Sequence, residues 1–116
     1  MAIRTYIDAG FLAAPFAVED GGLGLPYTLT CATSAVFTAA NIGSMGYMFL
    51  TGAAANLVRT HGSPEQVERY FRPMVEGRFF GTMALSEPQA GSSLGDIRTR
   101  AIPQPDGSYH LVGNKM

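Results

Sequence analysis

The longest feature of the hydrophobic pattern is a stretch from Gly21 to Val58 that contains no charged residue. Its apolar residues do not keep to one side of a helical repeat, and a helix that is apolar nearly all round is normally buried. The pattern therefore predicts two packed helices, at about Tyr27–Ser44 and Tyr47–His61, inside a helical bundle. Met45, Met48 and Phe49 are interpreted as part of its core.

A membrane-spanning segment is the alternative interpretation of this stretch, because about 20 apolar residues are enough to cross a bilayer. Threonines, asparagines and glycines interrupt it, however, and neither tryptophans nor basic clusters mark its ends. We therefore favour buried helices and expect no membrane association.

Shorter elements precede this stretch. Apolar spacing predicts a helix over Arg4–Phe11 that ends at Gly10, followed by an extended segment over residues 11–15, since the residue before Pro15 is biased away from helix. The glycine-rich segment Glu19–Pro26 has no strand before it and no Lys-Ser/Thr after it. It therefore fails the test for a phosphate-binding loop and is interpreted as a turn that leads into a helix.

A third helix follows, with clear start and stop signals. Ser63 is the predicted N-cap, Pro64 the first helical residue, and Gln66 the closing residue of a capping box. Gly62 is predicted to stop the preceding helix in the left-handed conformation. Pro73 should kink or tighten the last turn before the helix ends at Gly77.

From Arg78 onward the pattern becomes typical of strands, so we place a domain boundary between residues 1–77 and 78–116. Three strands are predicted, at Phe79–Ser86, Arg98–Gln104 and Tyr109–Lys115, with a tight turn at residues 105–108. Helices followed by antiparallel strands predict an α+β fold with segregated layers.

The segment 86–93, Ser-Glu-Pro-Gln-Ala-Gly-Ser-Ser, is the main candidate for chemistry. Pro88 cannot donate a hydrogen bond, so the strand before it should stop at about Glu87. The small residues that follow would expose backbone N–H groups and hydroxyls to a ligand. The same composition is also typical of a simple turn, so the residues alone leave both interpretations open.

Composition excludes several classes of function. Eight basic and nine acidic residues create no field that would attract nucleic acid or an anionic membrane. A single cysteine, Cys31, excludes an internal disulfide and fits a reducing cytoplasm. It lies in an uncharged helical stretch, so we interpret it as an inert core thiol. No secretory signal is apparent, and we expect a cytoplasmic protein.

The motif from Gly81 to Ser92, Gly-Thr-Met-Ala-Leu-Ser-Glu-Pro-Gln-Ala-Gly-Ser, resembles the first signature of the acyl-CoA dehydrogenases. The residues at 96–101 and 109–115 continue that resemblance at the expected spacing. The resemblance implies the end of an α-helical N-terminal domain (1–77) and the start of a β middle domain (78–116). Ser93 departs from it, because the family usually has an aspartate there that can cap the next turn.

The resemblance implies an FAD-dependent enzyme that removes two hydrogens from the α and β carbons of an acyl-CoA, with electron-transferring flavoprotein or oxygen as electron acceptor and a homodimer or homotetramer as assembly. The cofactor-binding residues that it implies are Met83, Ala84, Leu85, Ser86, Gly91 and Ser92. Ser92 would also contact the pantetheine side of the substrate. Met45, Met48 and Phe49 then have a second interpretation, as residues that line a pocket for the acyl chain.

Glu87 is not the catalytic base implied by the resemblance, because the base of the family belongs to a C-terminal helical domain. We therefore expect no catalytic residue in this chain and a structural role for Glu87. Arg98 and Arg100 could meet CoA phosphates or be solvated equally well. Within the family, the motif looks most like the bacterial branch of 3-methylmercaptopropionyl-CoA dehydrogenases and their long-chain-like relatives.

The chain ends at Met116 inside a predicted strand, where the family continues with Phe/Trp-Ile-Ser/Thr, so we expect a fragment of a longer enzyme that is inactive alone. Two other interpretations remain. One is a flavin-binding relative with changed chemistry, such as a monooxygenase or an alkylation-response protein. The other is a helical interaction module that binds no flavin.

Overall fold

The structure, a computed structural model, describes residues 2–116 and consists of helices followed by a small antiparallel sheet. The predicted α+β class is therefore confirmed. The chain forms two compact units, the first ending at Thr82 and the second running from Met83 to Met116. The predicted domain boundary at Arg78 stays a prediction.

The helical unit contains five α-helical segments and one π-helical turn. The bounds are α1 Ala2–Asp8, α2 Tyr27–Ala40, α3 Ile42–His61, α4 Pro64–Gln66, a π-helical turn Val67–Phe71 and α5 Arg72–Val75, with a 3-10 turn at Val18–Asp20. The second unit has a 3-10 turn at Leu94–Asp96 and the strands β1 Arg100–Pro103 and β2 Tyr109–Val112.

Helix α1 ends close to the predicted point, and Gly10 adopts a left-handed φ of 80°. The extended segment predicted after it is wrong, because residues 11–15 form turns. The Phe16 amide donates to the Ala13 carbonyl over 2.9 Å, and Leu12 and Ala14 are buried. Burial of these two side chains favours a tight path over an extended one.

The break between α2 and α3 lies at Asn41, so the predicted continuation of the first helix to Ser44 is wrong. Asn41 has an extended backbone, and its side-chain oxygen accepts a hydrogen bond from the Ser44 amide over 2.9 Å. An asparagine in this role satisfies one of the free donors at a helix start. The sequence therefore carries a cap that apolar spacing alone overlooks.

Replacing Asn41 with alanine should lower the free energy of unfolding of the helical unit by about 1 kcal/mol, because the Ser44 amide loses its acceptor. Urea unfolding followed by circular dichroism measures the change. Asn56→Ala is the matched control, since Asn56 lies exposed within α3. Equal losses in both variants would contradict the capping role.

Two apolar clusters form the core of the helical unit. The first contains Leu12, Met45 and Met48, and the second contains Ala55, Phe71 and Val75. Helix α3 serves both, because its buried residues recur every three or four positions and so share one face. These buried residues are Met45, Met48, Thr51 and Ala55. Met45 and Met48 thus lie in the core as predicted, whereas Phe49 is exposed.

Helix α2 corrects the expectation that both long helices are buried. No residue of α2 is buried in the described structure, and Val36 is 69% exposed. Cys31 is also exposed, so its interpretation as a core thiol is wrong. The apolar composition of α2 predicts burial, but residues 2–116 supply no layer that covers it. No helix in that range combines the length and apolarity needed to cross a membrane.

The start of α4 confirms the predicted capping box. The Gln66 amide donates to the Ser63 hydroxyl over 3.2 Å, and the Ser63 amide donates to the Gln66 side chain over 2.8 Å. Pro73 has no N–H to donate to the previous turn. The chain adapts through the π-helical turn before it, in which the Arg72 amide bonds to the Val67 carbonyl.

Glycines at the helix ends behave differently from one another. Gly77 has the left-handed φ of 69° that a helix stop requires. Gly62 does not, because its φ is −74° and its backbone is extended. A side chain on Gly62 would instead collide with the Val58 carbonyl. The left-handed stop predicted at Gly62 is wrong, and close backbone approach explains the glycine.

The sheet of the second unit pairs Arg100 with Val112 at one end and Pro103 with Tyr109 at the other. The turn between the strands is confirmed, with Gly107 at a φ of 81° and the Gly107 amide donating to the Gln104 carbonyl over 3.1 Å. Both strands are shorter than predicted. β1 starts late because the amides of residues 98 and 99 bind a side chain instead of a neighbouring strand.

Candidate functional site

The segment before the candidate loop, Phe79–Ser86, does not form a strand, which corrects the prediction. A strand is defined by a ladder of backbone hydrogen bonds to a neighbour. Within residues 83–116, only two carbonyls of the segment are bonded. The Leu85 carbonyl accepts from the Lys115 ammonium over 2.9 Å, and the Ser86 carbonyl accepts from the Met116 amide over 3.0 Å.

The amides of Met83, Ala84, Leu85 and Ser86 form no hydrogen bond with any other described residue. All four residues are exposed. Exposed amides in water are not costly, but unpaired donors on one short segment are available to a ligand with carbonyl or ring-nitrogen acceptors.

A tight turn follows at Glu87–Ala90, where the prediction places the end of the strand. The Glu87 amide donates to the Ala90 carbonyl over 2.9 Å, and the Ala90 amide donates back over 3.0 Å. Pro88 and Gln89 form the turn itself. This pair of bonds brings Ser86 and Gly91, which flank it, to the same end of the turn.

The Glu87 side chain is buried, with 4% of the residue exposed. Its carboxylate accepts four hydrogen bonds, two from backbone amides and two from side chains. The donors are the Arg98 amide at 2.8 Å, the Thr99 amide at 3.0 Å, the Gln89 amide group at 2.6 Å and the Lys115 ammonium at 3.0 Å. Buried carboxylates are stable only with such partners.

These surroundings hold the pKa of Glu87 well below its usual range. The Thr99 hydroxyl and the Arg98 amide lower it most, and the Lys115 ammonium and the Thr99 amide lower it further, whereas burial acts in the opposite direction. The buried Thr99 hydroxyl has no hydrogen bond of good geometry within residues 2–116. The four donors therefore fix the carboxylate in place, and its oxygens are not free to act as a base on a substrate.

The loop after Ala90 presents small, exposed residues. A Cβ added at Gly91 would meet no described atom within 4 Å apart from its sequence neighbours, and Ser92 is exposed. Ser93 precedes the 3-10 turn and forms no side-chain cap, as expected from the absence of an aspartate there. The loop therefore leaves open space around the two residues predicted to contact a ligand.

The structure thus places Leu85 and Ser86 in contact with Lys115 and Met116. Gly91 lies at the same end of the Glu87–Ala90 turn as Ser86. The side chains of Arg98 and Arg100 are exposed. Residues 2–116 contain no cluster of His, Cys, Asp or Glu that could hold a metal ion. The sequence assigns no role to Lys115 or Thr99, although both lie in segments that continue the resemblance, Thr99 in 96–101 and Lys115 in 109–115.

Residues 1–78 match the family model of the acyl-CoA dehydrogenase N-terminal domain. Over 115 residues, the chain is 35% identical to the 3-methylmercaptopropionyl-CoA dehydrogenase of Ruegeria pomeroyi, covering 99% of this chain and 20% of that protein.

Two solved structures have a similar fold. The butyryl-CoA dehydrogenase of Megasphaera elsdenii superposes with a TM-score of 0.82 at 27% identity, over 96% of this chain and 30% of that one. A chain from a structure described as the electron-transferring flavoprotein of Acidaminococcus fermentans gives 0.84 at 28% identity, over 96% of this chain and 29% of that one. The chain thus spans less than a third of each of these three proteins.

Proposed function

Because this chain belongs to the acyl-CoA dehydrogenase family, we propose that it is part of a longer FAD-dependent enzyme that oxidises the α,β bond of an acyl-CoA. The observation that carries FAD binding is the row of unpaired, exposed amides at Met83–Ser86. The open space at Gly91 supports it, since a ligand can approach the backbone there.

FAD, when bound, supplies the acceptor for the hydride that leaves the β-carbon as a base removes the α-proton. The backbone of Met83–Ser86 would line the flavin, and the amides that face its polar pyrimidine edge, together with the Ser86 hydroxyl, would donate to that edge. Donors held in fixed positions stabilise negative charge that develops at that edge. The chain itself supplies binding and charge stabilisation and no catalytic base.

Ser92 is proposed to contact both the cofactor and the pantetheine arm of the substrate, because it is exposed and follows Gly91 directly. The name of the Ruegeria relative makes 3-methylmercaptopropionyl-CoA the first substrate to test. Electron-transferring flavoprotein is the proposed electron acceptor, since one of the similar structures is described by that name. Oxygen is the alternative acceptor.

Replacing Gly91 with leucine should weaken FAD binding about tenfold to a hundredfold, because the new side chain occupies the space that the cofactor needs. The fold should be little affected, because Gly91 lies in an exposed loop and a Cβ added there starts in open space. The test uses the protein as its native gene encodes it, stripped of flavin and titrated with FAD by fluorescence quenching.

Gly95→Leu is the matched control, because Gly95 lies close by in the 3-10 turn Leu94–Asp96 and a Cβ there also meets open space. It should bind FAD like the wild type. Equal FAD affinity in wild type and Gly91→Leu would contradict the placement of the cofactor at this loop. A wild-type protein that is colourless and takes up no FAD would instead favour a helical interaction module. Bound flavin that no acyl-CoA bleaches under anaerobic conditions would favour a flavin enzyme with changed chemistry.

A further inference from the structure

The side chain of Lys115 connects two segments of the second unit. Its ammonium group lies 2.9 Å from the Leu85 carbonyl and 3.0 Å from a Glu87 carboxylate oxygen. A lysine on a surface normally extends its charge into water. Here the side chain is 26% exposed and reaches back to two acceptors that precede it by about a quarter of the chain.

Glu87 holds the Lys115 ammonium group in a fixed position. The carboxylate that holds Lys115 is itself held by the amides of Arg98 and Thr99, so it cannot follow a moving lysine. Hydrogen bonds between charged groups are shorter and stronger than neutral ones. The ammonium group is thereby fixed at a defined point beside the Leu85 carbonyl.

A fixed carbonyl also fixes the amide at the other end of its peptide. The peptide that joins Leu85 to Ser86 is trans and planar, so its N–H points away from its C=O. Since the Leu85 carbonyl faces Lys115, the Ser86 N–H faces the opposite way. In the next peptide, the Ser86 carbonyl accepts from the Met116 amide and the Glu87 amide donates to the Ala90 carbonyl. The carbonyl and the N–H of that peptide thus also point in opposite directions.

We infer that Lys115 is a positioning residue for the cofactor site. By binding the Leu85 carbonyl, it directs the Ser86 N–H towards the flavin. The inference rests on the proposed function, because it needs FAD beside Ser86. It gives a role to Lys115, the only lysine of the sequence. Without Lys115 the Leu85–Ser86 peptide can rotate, and its amide loses a fixed direction.

The test compares Lys115→Met, Lys115→Arg and the wild type in the protein as its native gene encodes it, loaded with FAD. Lys115→Met should weaken FAD binding up to about tenfold, the loss expected when the neutral Ser86 N–H no longer bonds to the flavin. At saturating FAD it should also lower the flavin midpoint potential and change the visible spectrum, effects that a purely structural role would not produce. Lys115→Arg should recover most of the loss, because a guanidinium has donors for both acceptors.

Arg4→Met is the control for the removal of a positive charge, since the Arg4 side chain is 71% exposed in the helical unit. It should match the wild type. A folded Lys115→Met protein with wild-type FAD affinity, potential and spectrum would overturn the inference. Failure of the wild type to bind FAD would instead overturn the proposed function.

If Lys115→Met does not fold, hydrogen exchange of the wild-type protein tests whether the Ser86 amide bonds to FAD. The Ser86 amide has no partner in residues 2–116, so it should exchange quickly without FAD and become protected when FAD binds. The Glu87 amide, already bonded to Ala90, should change little. A Ser86 amide that remains unprotected in the FAD complex would overturn the inference.

Discussion

Replacing Phe71 with alanine is expected to lower the free energy of unfolding of the helical unit by about 3–5 kcal/mol. Phe71 is completely buried. Its ring packs edge-on against Phe16 with the ring centroids 5.2 Å apart, and it lies in a cluster with Ala55 and Val75. Truncation removes the buried surface and leaves a cavity that helices from three parts of the chain would have to fill. Urea unfolding followed by circular dichroism measures the loss.

Phe49→Ala is the matched control, because it removes the same atoms from a side chain that is 72% exposed. Its effect should stay within about 0.5 kcal/mol of the wild type. A Phe71→Ala protein with nearly wild-type stability would show that the second apolar cluster is not the core of the unit. A loss at Phe49 as large as that at Phe71 would show that Phe49 is covered in the folded protein.

The signals that predicted the helices correctly are local ones. The capping box at Ser63 and Gln66 depends on residues three apart, and Gly77 stops a helix through its own φ. The left-handed conformation predicted for Gly62 is wrong, because glycine also occurs where a backbone carbonyl, here that of Val58, lies too close for a side chain. Sequence alone does not distinguish a glycine chosen for its conformation from one chosen for its size.

Burial was predicted less well than helix formation. The apolar composition of α2 indicates a covered helix, yet Val36 and Cys31 are exposed. Apolar residues report what a helix prefers to contact, whereas burial depends on which other segments are present to cover it. Periodicity therefore located the helix and could not determine its exposure.

In the second unit, the motif indicated where the candidate site lies but not how it is held. Lys115 and Glu87 are far apart in sequence, and no periodicity relates them. The strand predicted at Phe79–Ser86 failed for the same reason, because β-propensity does not reveal whether a partner strand is available. Long-range pairing became visible only in the folded structure.

Replacing Glu87 with glutamine should destabilise the second unit at neutral pH and also change its response to acid. The glutamine side chain has one acceptor oxygen, so its NH₂ group would face donors in either orientation. These donors would be the Arg98 amide and the Gln89 side chain, or the Thr99 amide and the Lys115 ammonium. The expected fall in the melting temperature at pH 7 is on the order of 5 °C. Glu65→Gln, which changes an exposed carboxylate at the start of α4, should have little effect.

The acid response follows from the lowered pKa of Glu87. An unfolded glutamate titrates at about pH 4.3. Since the folded pKa is lower, the ionised carboxylate stabilises the fold fully above that pH and progressively less as the pH falls towards the folded value. Melting curves of the wild type should therefore shift to lower temperature below about pH 4.3, and Glu87→Gln should lose most of that dependence. Asp106, whose pKa is also lowered by its bonds to Ser108, remains in the variant and leaves a smaller slope. An unchanged acid profile in Glu87→Gln would mean that the carboxylate is not held ionised by the contacts that fix the candidate site.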